Sequence, residues 1–228
     1  MVRRLPALLA VAAMASGAGC GAATVNATQV LNDSTRAMAQ VRTLQADVTF
    51  GPGATALGFQ LIAATGRVRR PADSDTIGKV KSGSATLQPE LITVGGKTYL
   101  REAQFLPFHA LSDADAAGYP SAGRLLDPST GVTALLPKGK SPTAVGHESV
   151  DGHDCYKLNA TYSADLANAA LAPITVSGDV RAVIWIDSAT SQVRRVQITG
   201  HLFDVSTQSF VDVRLHDFNG PVEIAAPA

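Results

Sequence analysis

The sequence predicts an α+β protein in which one antiparallel β-sheet accounts for most of the chain. The clearest observation is the stretch Val180–Ile198, where apolar and polar side chains alternate on both sides of the polar turn Asp187–Ser191, as in a β-hairpin. A second observation is that this period of two recurs along the chain, with only a few short helical segments between strands. Such alternation gives a sheet with one apolar face and one wetter face.

Length and composition restrict the class of protein. The chain has 228 residues, enough for one domain with a substantial core, and no long linker or repeat divides it. The 19 basic and 19 acidic side chains give zero formal net charge, so there is no electrostatic basis for nucleic-acid binding. Charged residues make up only 17% of the chain, which fits a protein with unusual apolar surface.

The N-terminus predicts a lipoprotein signal peptide over residues 1–19. Arg3 and Arg4 precede an apolar run that is shorter than the ~20 residues needed to cross a bilayer. Small residues then lead to Cys20, as in a bacterial lipobox, although Gly17 stands where Leu is usual. We therefore expect diacylation of Cys20, cleavage before it, and anchoring in the cell envelope on the outer face of the cytoplasmic membrane. The alternative is an ordinary secretory signal peptide cut nearby.

The two cysteines constrain this prediction. If Cys20 carries lipid, residues 20–26 form a short tether, a single domain occupies residues 27–224, and Cys155 has no partner within the chain. A free cysteine is most often a small buried apolar residue. The alternative, a disulfide between the two cysteines, requires that Cys20 is not lipidated.

The domain is predicted to begin with a helix and a strand. Apolar residues at helical spacing from Thr28 to Val41 indicate an amphipathic helix capped by Asn26 or Thr28. From Leu44 to Phe50 the period changes to two, which predicts a strand that ends at Gly51–Gly53.

Three further strands are predicted next. The first runs from Leu57 to Ala63 and carries Phe59 and Leu61 on one face. Two more polar strands are predicted from Gly66 to Arg70 and from Ile77 to Lys81. The two lysines of the last strand share one face, which either meets anionic lipid head groups or, more commonly, is a solvated outer face.

The middle of the chain combines a hairpin with a segment of different character. Residues 90–100 predict a tight hairpin, because two short apolar strands flank Gly95-Gly96. The following segment interrupts the strands and contains a short helix that begins near Pro128, since proline is favoured in a first helical turn. We expect this segment to cover the apolar face of the sheet with the helix side chains Val132, Leu135 and Leu136.

Strands return in the last third of the chain. Two of them, at 145–150 and 153–161, are joined by the turn residues Asp151-Gly152. A helix from Ser163 to Leu171 follows, with its first residue as the N-cap. After the hairpin at 180–198, a strand within 207–218 completes a sheet of about ten strands.

Four short motifs carry a family resemblance. They occupy Leu125–Leu136, Glu148–Gly152 with Tyr156–Leu158, Val183–Asp187 with Val193-Arg194, and Phe218–Val222. In order and spacing they resemble the mycobacterial lipoprotein family typified by LprG, LprA, LprF and LppX, and the third motif is the most specific. The departures are Gly17 in the lipobox, Phe218 where the family usually has Trp, the short tether and Cys155.

The resemblance implies a fold: a curved antiparallel sheet, like an incomplete β-barrel, with helices on its concave face enclosing an apolar cavity. It implies a monomeric, non-catalytic carrier without a cofactor or metal. The carrier would bind acylated lipids or lipoglycans of the triacylated glycolipid class, with a membrane lipid transporter as a candidate partner. A mostly apolar lining suits such cargo. The residues that we expect to line the cavity are Val48, Phe59, Leu61, Leu125, Leu126, Val132, Leu135, Leu136, Leu166, Leu171, Ile184 and Val196.

Two other functions remain open at this point. The sequence has neither an HExxH motif nor a Gly-x-Ser-x-Gly elbow, and the one adjacency of interest, His153 with Cys155 on a strand face, lacks the third orienting group of a nucleophilic site. The other alternative is a surface or interaction lipoprotein with a packed core and no cargo. Internal volume distinguishes it from the carrier, because ligand pockets enclose several hundred Å³.

Overall fold

A computed structural model describes residues 25–227, so the predicted signal peptide and Cys20 lie outside the described residues. The helices are α1 (Ala27–Ala39), α2 (Asp113–Ala116), α3 (Val132–Leu135) and α4 (Ala164–Leu171), with 3₁₀ segments at Ala122–Leu126 and Leu136–Lys138. The strands are β1 (Thr43–Phe50), β2 (Thr55–Ala56), β3 (Phe59–Arg69), β4 (Asp73–Ser82), β5 (Ala85–Leu87), β6 (Glu90–Val94), β7 (Lys97–Arg101), β8 (His109–Leu111), β9 (Lys140–Val150), β10 (His153–Tyr162), β11 (Ser177–Asp187), β12 (Val193–His201) and β13 (Ser209–His216).

The strands form one antiparallel sheet with the order β8-β7-β6-β4-β3-β1-β13-β12-β11-β10-β9, while β2 pairs with β3 and β5 pairs with β4. Within residues 25–227 the edge strands β8 and β9 do not pair with each other, so the sheet stays open instead of closing into a barrel. The predicted α+β class, with an incomplete antiparallel barrel and few helices, is confirmed.

The hairpin from which the prediction started lies inside this sheet. In β11 and β12, Ile184 pairs with Val196, so both side chains point to the same face. The turn is stabilised by Asp187, whose Oδ1 accepts hydrogen bonds from the backbone amides of Ala189 and Thr190 at 2.9 and 3.0 Å. This is the local side-chain-to-backbone bonding that makes Asp a favoured turn residue.

Cross-strand pairs separate the two faces of the sheet. Ala46 of β1 lies between Gly66 of β3 and Leu215 of β13, on the buried face. The next residue, Asp47, points to the other face and lies opposite Arg214. The charged side chains therefore collect on the outer face, and apolar side chains collect under the helices.

Helix α1 packs on the buried face and closes the core. Of the two predicted caps, Asn26 is the one that forms, because its Oδ1 accepts a hydrogen bond from the Gln29 amide at 3.1 Å. Leu31 and Met38 on one side of the helix are buried in a core that extends to Leu215 in β13. The core includes residues from α1, the first element, to β13, the last strand. The described residues therefore form a structural unit with a core of their own.

One strand assignment is wrong. The segments 57–63 and 66–70 were predicted as separate strands, but Phe59–Arg69 is one continuous strand, β3, with an irregularity in its register between Leu61 and Ala63. The extra residue changes which side chains face inward on the two sides of it. Leu57 has a φ of 51° and lies in the preceding turn, where it is exposed.

The predicted hairpin at 90–100 is correct. Strands β6 and β7 are joined by Gly95 and Gly96, whose φ angles are 58° and 76°. Both central residues of this tight turn need a positive φ, which glycine adopts without steric cost.

Candidate functional site: an apolar cavity

An apolar cavity of about 190 Å³ lies between the buried face of the sheet and the segments packed on it. Its floor is formed by strands β1, β3, β11, β12 and β13, with Thr76 of β4. Its roof is formed by residues in two segments, 120–136 and 162–174, which we call the cover. The cavity therefore separates the sheet from its helical layer.

Small side chains on the floor explain why this space is open. Ala46, Ala64, Gly66 and Ala182 line it from three different strands. Their short side chains do not reach the cover, whereas the tight packing of an ordinary core would require bulky residues there. The floor thus leaves a gap that is lined almost entirely by carbon.

The cover presents apolar side chains to the same gap. On α4, Ala167, Ala170 and Leu171 have the i, i+3, i+4 spacing that places them on one helical face. Val132 and Leu135 of α3 line the cavity from the other segment. A ligand in the cavity would contact alkyl groups from both layers.

Eight of the twelve residues predicted to line the cavity do so. They come from the sheet and from both segments of the cover: Val48, Leu125, Val132, Leu135, Leu136, Leu171, Ile184 and Val196. Whether they contact a ligand stays a prediction, but the structure brings them around one space.

The other four predicted residues do not line the cavity. Phe59 and Leu61 lie before the irregularity in β3, toward the start of that strand, where Leu61 pairs with Val80. Leu126, next to a lining residue in a 3₁₀ turn, points into the packed core and is 1% exposed. Leu166 lies outside the lining face of α4 and packs against the edge of the core.

Sequence reasoning missed the small lining residues. Ala64 lies opposite Val48, and Gly66 lies opposite Ala46, so the register of β1 with β3 places them on the floor. The signal was present in the alternation of β1, but the wrong break within β3 assigned this part of the chain to a polar strand. Small residues also carry no apolar periodicity strong enough to stand out.

The few polar groups around the cavity are mostly occupied or neutral. The Thr76 hydroxyl oxygen accepts a hydrogen bond from the Ala122 amide at 3.0 Å, and the Ser121 and Ser74 hydroxyls lie 3.1 Å apart. Burial raises the pKa of Tyr162 to about 12, so its phenol stays un-ionised at neutral pH. These groups tie the cover to β4 without placing carboxylates in the lining.

Asp127 organises the turn that leads into α3. Its Oδ1 accepts hydrogen bonds from the amides of Ser129 and Thr130, both at 2.8 Å, and from their hydroxyls at 2.6 and 3.0 Å. The Ser129 hydroxyl, followed by the two amides and the Thr130 hydroxyl, outweighs partial burial and lowers the pKa of Asp127 to about 2. The carboxylate therefore helps to hold Val132 over the cavity.

We expect Asp127→Ala to lower the free energy of unfolding at pH 7 by about 1–2 kcal/mol, because four donors lose their acceptor. The folded-state pKa lies below the ordinary carboxyl pKa of about 4, so this contribution is complete above about pH 4 and is lost as the pH falls toward 2. Urea unfolding of both proteins across that range measures it. A difference between them that stays constant down to pH 2 would contradict the assignment.

Gly66 keeps the cover close to the sheet. A Cβ atom at this position would overlap the Cβ of Ala122 in the cover. We expect Gly66→Ala to cost about 1–3 kcal/mol by overpacking, and Ala122→Gly in the same chain to recover most of that loss. Thermal unfolding of the single and double variants tests this, and costs that simply add in the double variant would show that the two residues do not meet.

His153 and Cys155 do not form a reactive pair. The Cys155 thiol is free and buried, and burial, followed by the charge of Asp187, raises its pKa to about 11. His153 Nδ1 instead lies 3.0 Å from an oxygen of Asp187. Because the thiolate is the nucleophile, a thiol with a raised pKa is poorly reactive. Within residues 25–227, no group of three His, Cys, Asp or Glu side chains could hold a metal ion.

The volume of the cavity bears on the choice between a carrier and a packed core. The cavity is apolar, but at about 190 Å³ it is smaller than the several hundred Å³ typical of ligand pockets. As it stands, it accommodates part of an acyl chain. Loading several chains requires the cover to move away from the sheet.

This architecture defines a class of protein: an open antiparallel half-barrel with short helices on one face and an apolar cavity between the layers. Two solved structures share its fold. LprF from Mycobacterium bovis superimposes with a TM-score of 0.72 at 19% identity, over 89% of this chain and 97% of that one. The lipoprotein LppX from Mycobacterium tuberculosis gives 0.62 at 18% identity, over 87% and 97%. At these identities the likeness is one of fold.

The particular family follows from the sequence match. The LppX_LprAFG lipoprotein family matches residues 26–224, and the chain belongs to it. The predicted family membership is confirmed. No helix among the described residues combines the length and apolar character needed to cross a membrane.

The chain matches only part of the length of its curated relatives. A lipoarabinomannan carrier protein LprG from Mycobacteroides abscessus is 27% identical over 46% of this chain and 45% of its own length. The protein of the same name from Mycolicibacterium smegmatis is 23% identical over 69% of this chain and 64% of its own length. The match thus spans less than two thirds of either relative.

Proposed function

We propose that this protein is a non-catalytic carrier lipoprotein that holds acyl chains of multi-acylated envelope lipids in its cavity and helps to move them across the cell envelope. The observation that carries the proposal is the space itself: alkyl side chains of both layers face a gap that the fold leaves unfilled. The names of the two LprG relatives, which describe lipoarabinomannan carriers, support a lipoglycan or glycolipid cargo.

The energetics favour an acylated ligand over a polar one. Each methylene group that leaves water for an apolar lining contributes about 0.8 kcal/mol, so a chain of even a few carbons binds measurably. The lining offers few polar groups, and two of them already have partners, because the Ser121 hydroxyl pairs with that of Ser74 and the Thr76 hydroxyl accepts from the Ala122 amide. Affinity therefore comes from the acyl chain, and the glycan of a glycolipid stays outside.

Loading is proposed to proceed by displacement of the cover. Segment 120–136 consists of a five-residue 3₁₀ turn, an Asp127-stabilised turn and the four-residue helix α3, which are short elements with little cooperative strength of their own. Segment 162–174 is held by Asn168, whose side chain bonds the amide and carbonyl of Val176 at 2.7 and 3.0 Å. We therefore expect segment 120–136, and not segment 162–174, to move away from the sheet during loading.

Binding can be tested with a fluorescent fatty-acyl probe and the protein from Thr24 to Ala228. We expect the probe to bind, a synthetic triacylated glycolipid to displace it, and the deacylated glycan to leave it bound. The probe must carry its own fluorophore, because the Trp185 side chain does not line the cavity and cannot report on it. A protein that binds neither probe nor glycolipid would favour the alternative of an interaction lipoprotein without cargo. The small volume of the cavity is the observation that supports this alternative.

The anchor is proposed at Cys20. We expect labelled palmitate to be incorporated into the full-length protein in a mycobacterial host, and Cys20→Ser to abolish incorporation. The matched control is Cys155→Ser, whose thiol is buried within the fold. Labelling that survives Cys20→Ser would place the lipid on another residue, and a wild-type protein that takes up no palmitate would indicate an ordinary secretory signal peptide.

A further inference from the structure

Exposed apolar side chains are unevenly distributed over this molecule. Within residues 25–227 six large hydrophobic side chains are exposed, and four of them lie on three loops: Leu57, Phe105, Leu106 and Val205. Of these, Phe105 and Val205 are 82% and 76% exposed. Single exposed apolar residues are ordinary on protein surfaces, but a cluster of them marks an interaction site.

The topology places these three loops at one end of the sheet. Residues 51–58 connect β1 to β3, residues 102–108 connect β7 to β8, and residues 202–208 connect β12 to β13. Because β1, β7 and β12 run in the same direction in this antiparallel sheet, all three loops leave from the same end. We call them together the apolar rim.

The opposite end has a different character. Its loops are 70–72, 95–96, 151–152 and 188–192, which are tight turns with glycine, proline and polar residues. None of the six exposed large apolar side chains lies on these four turns. The two ends of the sheet therefore differ as a membrane-facing and a water-facing end would.

The apolar rim is continuous with the cavity. Phe50, the last residue of β1, lines the cavity and packs edge-to-face on Phe203 of the rim, with ring centroids 6.3 Å apart. The loop 51–58 is also bonded to the start of β13, which follows the loop 202–208, because the Ser209 hydroxyl donates to the Pro52 carbonyl at 2.7 Å. An acyl chain that entered from this end would meet apolar groups from the rim to the floor.

Charge at this end complements an anionic surface. Lys79 and Lys81 lie on β4, beside the start of β3, and both are exposed. Neither side chain contacts a carboxylate within residues 25–227, whereas Arg67 and Arg69 farther along the same strand pair are matched by Asp75 and Asp73. Free lysines beside exposed apolar residues are typical of segments that rest on anionic lipid.

We propose that the apolar rim docks on the surface of a lipid bilayer, inserting Leu57, Phe105 and Val205 between the head groups while Lys79 and Lys81 meet anionic lipids. This inference rests on the proposed function, because it supplies the route by which membrane lipid reaches the cavity. The tether of residues 20–26 spans at most roughly 25 Å when extended, so a domain anchored through Cys20 stays within reach of that surface.

Vesicle flotation of the protein from Thr24 to Ala228, which lacks the anchor, tests the rim directly. The vesicles are phosphatidylcholine alone or phosphatidylcholine with phosphatidylglycerol. We expect the combined variant Leu57→Ser, Phe105→Ser and Val205→Ser to lower partitioning onto both by at least about tenfold. Lys79→Gln with Lys81→Gln should lower it by about tenfold on the anionic vesicles only, and high salt should reproduce that loss.

The matched control is Val145→Ser, which removes an exposed apolar side chain of the edge strand β9, away from the rim and from β4. It should partition as the wild type does. Wild-type protein that does not float, or a rim variant that floats equally well, would overturn the inference. A rim variant that merely converts a dimer to a monomer in gel filtration, without a wild-type vesicle interaction, would also overturn it and make the rim a contact between copies.

Loading of lipid from detergent micelles tests the proposed function independently of the rim, because it needs the cavity but no contact with a bilayer. Since the rim variant leaves the cavity intact, it should still load from micelles, and only transfer from vesicles should slow. Wild-type protein that loads from micelles but ignores vesicles would refute the rim alone. Wild-type protein that floats but never loads would refute the carrier function and leave the membrane contact standing.

Discussion

Val132→Trp is expected to lower the loading of acylated lipid by at least about tenfold, with the fold retained. Val132 lies on α3 and faces the cavity, where an indole ring would occupy much of the roughly 190 Å³ that is open to an acyl chain. Displacing two methylene groups already costs about 1.6 kcal/mol, which is more than tenfold in affinity.

The measurement is the fraction of protein that carries lipid after incubation with a triacylated glycolipid in micelles, determined by native mass spectrometry. Val145→Trp is the matched control, because Val145 is an exposed valine of β9 that does not line the cavity. Unfolding temperatures close to that of the wild type would show that both variants fold. Equal loading of Val132→Trp and Val145→Trp would remove Val132 from the lining.

Asp187→Ala is expected to lower the free energy of unfolding by about 3–5 kcal/mol, because it leaves buried donors and a cation without their partner. Asp187 is 2% exposed and accepts hydrogen bonds from Arg194 Nε and Nη2 at 3.1 and 2.9 Å, besides those from the turn amides. Burial by itself would raise the pKa of Asp187, but the Thr190 amide, Arg194 and the Ala189 amide outweigh it and hold the pKa below its usual range.

The control for this variant is Asp47→Ala. Asp47 is an exposed carboxylate of β1 whose partner is His216 at 3.2 Å, and a surface pair of this kind contributes at most about 1 kcal/mol. Urea unfolding at pH 7 measures both. If Asp187→Ala cost no more than Asp47→Ala, the β11–β12 turn would not depend on its buried ion pair.

Prediction from the sequence succeeded where side-chain periodicity and turn chemistry agree. The β11–β12 hairpin and helix α1 with its Asn26 cap were found because each combines an apolar pattern with a specific terminating residue. The hairpin at Gly95-Gly96 follows for the same reason, since few residues other than glycine suit such a turn.

Prediction failed where one residue changes the direction of its neighbours. The irregularity in β3 is a single extra residue that no composition marks. Before it Leu61 pairs with Val80 and after it Ala64 pairs with Gly78, so odd- and even-numbered residues share one face, and only the later part of the strand lines the cavity. In the cover, Leu125 and Leu126 are chemically identical and adjacent, yet one lines the cavity and the other fills the core. A short 3₁₀ turn has no periodicity from which that difference could be inferred.

The most direct test of the carrier account is native mass spectrometry of the protein from Thr24 to Ala228 after contact with extracted envelope lipids. We predict adducts with the masses of acylated lipids, which are lost on denaturation and are reduced in Val132→Trp. A protein that keeps its unliganded mass across a panel of acylated lipids would contradict the carrier function. It would then be a lipoprotein whose small cavity holds no cargo.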